Sequence, residues 1–167
     1  MGLDVKTLFL VTIYAEAMLG LLLLFIWIQN SKVYAVAWWG GGHLMRAGSV
    51  ALFGMYGSVP GAVSIDVANA ILLSSFAVTW SGARVFDGRA LKPICLFGGA
   101  VLWLFACRIP IFAESIDARF LLISSIITAY TWATAYEFWR GRGEALLSRW
   151  FAILILFAHG EIGRAHV

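Results

Sequence analysis

Long apolar runs separated by short polar turns make up most of the chain. Six runs have all or most of the length of a membrane span, and they cover residues 7–28, 34–56, 63–83, 94–109, 120–139 and 147–160. A spanning helix needs about 20 apolar residues, and only a helix satisfies every backbone hydrogen bond within one segment. The pattern therefore predicts an all-α fold, a polytopic transmembrane helix bundle with five full spans and a truncated sixth.

Composition narrows the class of protein further. Hydrophobic residues make up 62% of the chain and charged residues only 13%. Soluble domains have about 45–50% apolar and about 25% charged residues. The chain is therefore predicted to be an integral membrane protein that has the lipid bilayer as its main partner. It contains no run of Lys and Arg, so nucleic acid is not a predicted partner.

Positive charges concentrate in alternate loops, and this predicts an orientation. One side of the predicted bundle carries seven cationic side chains: Lys32, Arg84, Arg89, Lys92, Arg140, Arg142 and Arg149. The other side carries three: Lys6, Arg108 and Arg119. Loops rich in Lys and Arg stay in the cytoplasm. The N-terminus is therefore expected outside, and a cytoplasmic C-terminal domain would require an odd number of spans.

The final residues are not typical of a protein-coding sequence. Ile162 to Val167 is the translation of ATCGGAAGAGCACACGTC, which resembles a ligated sequencing adapter whose next codon is a stop. Glu161 would be the junction codon, and the run over 147–160 is shorter than the roughly 20 residues of a span. We therefore expect residues 1–160 to form one transmembrane domain and 161–167 to be a non-native scar, with the natural chain continuing.

Polar side chains interrupt the apolar runs near their middles. Glu16 lies in the first run, His43 and Arg46 lie in the second, and Tyr130 and His159 reach similar depths in the fifth and sixth. A charge at the bilayer centre costs about 2.5–3.5 kcal/mol, so it normally faces the bundle interior and has a partner. We expect a Glu16–Arg46 ion pair with His43 hydrogen-bonded nearby. The cluster either fixes helix register or forms a ligand or signal site.

A second polar pair lies near the outer end of the third run. Asp66 and Asn69 are three residues apart and so share one helix face. Ser64-Ile65-Asp66 also has the form of a helix cap followed by an acid in the first turn, where the helix dipole favours negative charge. The pair is interpreted mainly as a helix start, with an outer-end ligand site as the alternative.

Candidate chemistry beyond these groups is sparse. Two histidines on facing helices, His43 and His159, could bind haem or a metal, but no further ligand spacing accompanies them. No nucleophile, histidine and acid form a plausible set. The glycines at 40–42 and 98–99 are expected to let helices approach closely. We therefore predict no catalytic, cofactor-binding or metal-binding residue in this chain.

Short motifs are scattered over residues 3–160. Besides the opening Leu3-Asp4-Val5-x-Thr7-Leu8, they are Gly20-Leu21-Leu22-Leu23-Leu24-Phe25-x-Trp27-x-Gln29-Asn30, Ala37-Trp38-Trp39-Gly40 and Ser64-Ile65-Asp66-Val67-Ala68-Asn69-Ala70. The most distinctive is Trp80-x-Gly82-Ala83-Arg84-x-Phe86-Asp87-Gly88-Arg89. Together they resemble the N-terminal membrane region of alphaproteobacterial diguanylate cyclases that carry a C-terminal GGDEF domain.

This resemblance implies a function for the parent protein. It implies a sensory or anchoring region in the bacterial inner membrane, joined to a cytoplasmic domain that makes cyclic di-GMP from two GTP. GTP and Mg²⁺ are then expected only in the missing domain, and a homodimer is expected because such cyclases pair two catalytic domains. The fragment itself would not be an enzyme, and its ligand is unknown. The alternatives are a sensor for another output, such as a histidine kinase, and a small transporter or channel-like protein.

Overall fold

The computed structural model describes residues 4–141 and 152–156. Six α-helices follow one another within residues 4–141, and a π-helical segment leads directly into the third of them. The elements are α1 Val5–Gln29, α2 Tyr34–Gly54, the π-segment Ala62–Val67, α3 Ala68–Phe86, α4 Pro93–Ala106, α5 Pro110–Glu114 and α6 Ile116–Arg140. No β-strand occurs within these ranges; the only pairing of that kind is an isolated bridge between Tyr56 and Val59. The predicted all-α fold class is confirmed.

Two of these helices are long and apolar enough to cross a membrane. They are α1, Val5–Gln29, and the continuous helix Ala62–Phe86 formed by the π-segment and α3, each 25 residues long. α4 is apolar but has only 14 residues. α1 exposes most of its large apolar side chains, and Gly20 is its one buried residue. These features support association with a membrane, and they leave the five-span arrangement as a proposal.

The helix bounds differ from the predicted runs mainly around the turn between the fourth and fifth runs. The short helix α5 occupies part of this turn, and α6 begins at Ile116, four residues before the predicted 120. The Ser115 hydroxyl accepts a hydrogen bond from the Ala118 amide at 3.2 Å and so caps α6. Of the predicted sixth run, only residues 152–156 are described, and they are helical.

α3 is the central helix of the bundle. It packs against α2, α4 and α6, whereas α1 packs mainly on α2. Ala68, Leu73, Ala77 and Ala83 of α3 are completely buried. Small side chains dominate this buried face, which allows three neighbouring helices to approach one helix closely.

Glycines mark the closest helix crossings. Gly20 of α1 and Gly40 of α2 face each other, and a Cβ added at either would lie 3.0 Å from the carbonyl oxygen of the other. A Cβ at Gly42 would lie 3.2 Å from the Ser75 carbonyl oxygen of α3, and one at Gly99 would meet the Tyr130 ring of α6. The predicted role of the glycines is confirmed at Gly40, Gly42 and Gly99, but not at Gly41 and Gly98, where nothing lies within 4 Å of an added Cβ.

Candidate functional site: polar groups between the helices

The centre of the site is a contact between α1 and α2. Oε2 of Glu16 lies 2.7 Å from Nδ1 of His43, and both side chains are largely buried, with 24% and 19% of their surfaces exposed. When the Glu16 carboxylate is ionised it can only accept a hydrogen bond, and His43 Nδ1 is then the donor. Both residues lie near the middle of their helices. The pair therefore joins two apolar helices near the midpoint of each.

Arg46 lies about 60° further around α2 than His43 and contacts α3. Its Nη2 donates to the Thr79 hydroxyl at 2.9 Å, and its guanidinium carbon lies 5.2 Å from the centre of the Phe76 ring. Among the described residues, Arg46 Nε is buried without a hydrogen-bond partner. The expected hydrogen bond of His43 in this cluster is confirmed, but Glu16 and Arg46 do not form a direct ion pair: the carboxylate bonds to His43, and the guanidinium bonds to Thr79. The two charges still lie close enough to attract each other electrostatically.

Local sequence explains how α3 reaches Arg46. Gly42, one helical turn before Arg46, has no side chain to separate α2 from α3. Thr79 donates its own hydroxyl proton to the Ser75 carbonyl oxygen at 2.9 Å, so its oxygen is left to accept from Arg46. Thr79 thus uses its donor within α3, while its oxygen accepts from a cation on the neighbouring helix.

Tyr130 does not join this cluster, although the sequence places it at a similar depth. Its hydroxyl donates to the Cys95 carbonyl oxygen at 2.7 Å and accepts from the Gly99 amide at 3.1 Å, both on α4. Its ring centre lies 6.1 Å from that of Trp80. Tyr130 therefore joins α6 to α4. His159, the remaining predicted member, lies outside the described residues.

The outer-end pair has a different structure from the predicted helix cap. The helix already begins at Ala62, so Ser64 lies inside its first turns and does not cap it. Pro60 and Gly61 start the helix early, and the Pro60 carbonyl accepts from Ser64 Oγ at 3.5 Å. The Asp66 carbonyl oxygen accepts from the Trp103 indole at 3.0 Å, and Asn69 Nδ2 donates to the Ile65 carbonyl at 2.9 Å.

A charged network that the sequence analysis did not identify lies at the opposite end of the bundle. Glu137 of α6 is only 3% exposed and accepts from Arg84 Nη1 at 2.7 Å and from Arg89 Nη1. The Arg84 guanidinium also donates to the Ala90 carbonyl oxygen at 3.0 and 3.1 Å. Arg89 lies 3.9 Å from Asp87. Glu137 stands among aromatic residues near the end of a predicted span, and that position is the one sequence signal that could have identified it.

The chemistry available to these groups is limited and specific. A histidine paired with a carboxylate can hold or exchange a proton, and a guanidinium can bind an anion. Within residues 4–141 and 152–156, no group of three His, Cys, Asp or Glu side chains could hold a metal ion. No family model, curated protein or solved structure matches the chain.

Proposed function

We propose that this chain is the membrane-embedded sensory and anchoring region of a signalling protein, with a GGDEF diguanylate cyclase as its output domain. The observation that carries the proposal is the Glu16–His43 pair, with Arg46 one turn further along α2. Ionisable groups inside apolar helices are expensive and are a functional-site hypothesis by default. Here they lie at the contacts of three successive helices, where a change in protonation or a bound anion would alter helix packing.

The proposed setting is the bacterial inner membrane, with five full spans, a sixth that is cut and the N-terminus outside. The apolar side chains of α1 support this setting, since Leu10, Leu21 and Phe25 are each more than half exposed. In water such a surface would be a large unpaired apolar patch, whereas lipid tails cover it without cost. The excess of Lys and Arg in alternate loops supports the orientation.

The GGDEF output is proposed from the sequence motifs. Three charged residues of the most distinctive motif, Arg84, Asp87 and Arg89, belong to the network around Glu137 at the end of α6. Their shared part in this network is one physical reason why these three charged residues occur together in the motif. A histidine kinase output remains the alternative, as does a small transporter, which would be expected to have discontinuous helices around a central site.

Sequencing the source locus past the Gly160 codon with adapter-independent primers tests the proposal. We expect further apolar sequence and then a GGDEF domain. A kinase domain would replace the proposed output, and a genuine stop after Val167 would overturn the proposal of a sensor attached to an output domain.

The completed gene then allows a test of sensing. We expect Glu16→Gln and His43→Gln to change cellular cyclic di-GMP at equal protein levels. Met18→Leu is the matched control, because this α1 side chain is 50% exposed and lies about 160° around the helix from Glu16. Unchanged cyclic di-GMP in both variants would leave the pair with a structural role alone.

A further inference from the structure

A cavity of about 670 Å³ lies between the helices at the end of the bundle where α1, α3 and α6 begin. Its volume falls within the range of about 300–1,000 Å³ found for small-molecule sites. The cavity is separate from the polar pair between α1 and α2, because neither Glu16 nor His43 lines it. Most of its wall consists of aromatic and aliphatic side chains, which include Phe9, Phe53, Leu72, Trp103 and Phe120.

The wall of the cavity runs from exposed to buried residues. Tyr56 and Ile116 are each 70% exposed, and Phe120 is 63% exposed. At the other extreme, Trp103 is completely buried and Asn69 is only 6% exposed. A ligand can therefore enter past apolar side chains and reach a polar side chain at the buried end.

Asn69 presents an unused hydrogen-bond acceptor at this buried end. Its Nδ2 donates to the Ile65 carbonyl oxygen of the same helix at 2.9 Å. A carbonyl oxygen can only accept, so this bond also fixes which end of the Asn69 amide is nitrogen and which is oxygen. Within residues 4–141 and 152–156, no donor bonds to Asn69 Oδ1. A buried acceptor without a partner is unfavourable, so a donor on a ligand would stabilise this end of the cavity.

The charge on the wall is already engaged by the protein. The Arg119 Nε donates to the Phe112 carbonyl oxygen at 2.6 Å, and the Arg119 side chain takes part in a further interaction within the protein. None of the other described residues of the wall carries a formal charge. A charged ligand would lose its hydration without gaining an unpaired opposite charge, so the cavity favours an uncharged one.

The backbone beside Asn69 is irregular. The π-segment Ala62–Val67 contributes Ser64 and Ile65 to the wall, and Ile65 supplies the carbonyl oxygen that holds the Asn69 amide. π-Helical turns are rare, and they occur frequently at functional sites. The irregular turn, the unused acceptor and the apolar wall therefore lie together at one end of the molecule.

From this combination we infer that the cavity binds a small, uncharged and mostly apolar molecule whose hydroxyl or amide N–H donates to Asn69 Oδ1. The apolar part lies among the aromatic and aliphatic side chains, and the single donor sets the orientation. Small-molecule sites use a few polar groups in a mostly apolar wall in this way. A primary alcohol with a medium-length alkyl chain is a simple member of this class. The inference goes beyond the proposed function, since binding does not depend on which output domain follows.

The test uses the purified full chain in lipid nanodiscs with dodecanol that carries a photoreactive diazirine on its alkyl chain. We expect saturable labelling of peptides that contain Phe53, Asn69 or Trp103, and competition by unlabelled dodecanol. Dodecyl methyl ether has the same chain but no donor. It should compete about tenfold to a hundredfold more weakly, the range expected when a buried acceptor is left unpaired.

Laurate, which is ionised at neutral pH, tests the preference for an uncharged ligand and should compete no better than the ether. Stronger competition by laurate than by dodecanol would overturn the inference. Equal competition by dodecanol and its ether, or unsaturable labelling spread evenly over all helices, would also overturn it.

Two variants separate the acceptor from the apolar wall. Asn69→Leu removes Oδ1 and keeps a side chain of similar size, so dodecanol should compete no better than its ether. Asn30→Leu, at an exposed position after α1, is the matched control and should keep the preference for the alcohol. Leu72→Trp should fill the cavity and abolish saturable labelling, whereas Leu102→Trp, at a half-exposed position on α4, should leave it unchanged.

A preference for dodecanol that persists in Asn69→Leu would contradict the assigned acceptor. If Asn69→Leu or Leu72→Trp does not fold, the comparison of alcohol and ether on the unaltered chain decides.

Discussion

Glu16 and His43 form a hydrogen-bonded pair at 2.7 Å although 27 positions separate them in sequence. Arg46, which follows on the same helix, bonds instead to Thr79 at 2.9 Å. The polar side chains near the middle of α1 and α2 therefore form two contacts, one that joins α1 to α2 and another that joins α2 to α3. This division determines how substitutions should combine.

Glu16→Gln and His43→Gln should be strongly non-additive. Each single change removes the charge-assisted character of the same contact, so the double variant loses little more, with a coupling energy of about 1–2 kcal/mol. Stability would be measured by unfolding the purified protein in mixed detergent micelles. Glu16→Gln combined with Thr79→Val is the control and should be closer to additive. Equal coupling in the two cycles would argue against separate contacts.

Gly42→Ala should destabilise the bundle. The added Cβ would lie 2.9 Å from the Thr79 hydroxyl oxygen and 3.2 Å from the Ser75 carbonyl oxygen, so α2 and α3 must separate. Overpacking of this kind costs about 1–3 kcal/mol. Gly41→Ala is the matched control, because nothing lies within 4 Å of its added Cβ. We expect this control to be neutral or to gain up to about 1 kcal/mol from helix propensity. Equal melting temperatures for both variants would be inconsistent with a close crossing at Gly42.

Glu137→Gln should lower stability more than other acidic substitutions. It leaves Arg84 and Arg89 without their shared carboxylate in a buried place, and breaking a buried pair costs about 3–5 kcal/mol. Glu114→Gln, at an exposed position on α5, should change stability by less than about 0.5 kcal/mol. Chemical unfolding of the two variants makes the comparison, and similar values would remove the structural role assigned to Glu137.

Tyr130→Phe should have a smaller effect than its two hydrogen bonds suggest. The hydroxyl bridges the Cys95 carbonyl and the Gly99 amide, which are four residues apart and would pair directly in a regular α-helix. Because these groups can bond to each other once the hydroxyl is gone, we expect a loss of about 1 kcal/mol. Tyr136→Phe, at a half-exposed ring, serves as the control in thermal unfolding. A loss above about 3 kcal/mol would mean that the α4 groups do not re-pair.

The sequence allowed the helices to be predicted well but not their side-chain partners. Apolar runs fix where helices can lie, so most predicted bounds fall within a few residues of those observed. The partner that a side chain reaches depends on its angular position around its helix. His43 and Arg46 are three residues apart, which places them about 60° apart around α2. This angle is enough for His43 to face α1 and Arg46 to face α3. Packing between helices, which no single helix encodes, decided which partner each residue reached.

Two other differences also have local causes. Ser64 looked like a cap because it precedes Asp66, but Pro60 and Gly61 start the helix earlier and add the π-segment. Glu137 has no nearby cation in its own helix turn except Arg140, and its partners are 53 and 48 positions away. Contacts of such long range follow from the packing of α3 beside α6, so they could not be predicted from spacing.

The bonds of Glu137 constrain how α6 can move. α3 and α6 run in the same direction, and Arg84 and Arg89 hold α6 at the end where both helices finish. A lengthwise slide of α6 by one helical turn, about 5.4 Å, would break both charge pairs at once. A tilt about Glu137 would break neither, and it would produce its largest displacement at Ile116. The network therefore opposes sliding of α6 along its own axis more strongly than it opposes tilting of α6 about Glu137.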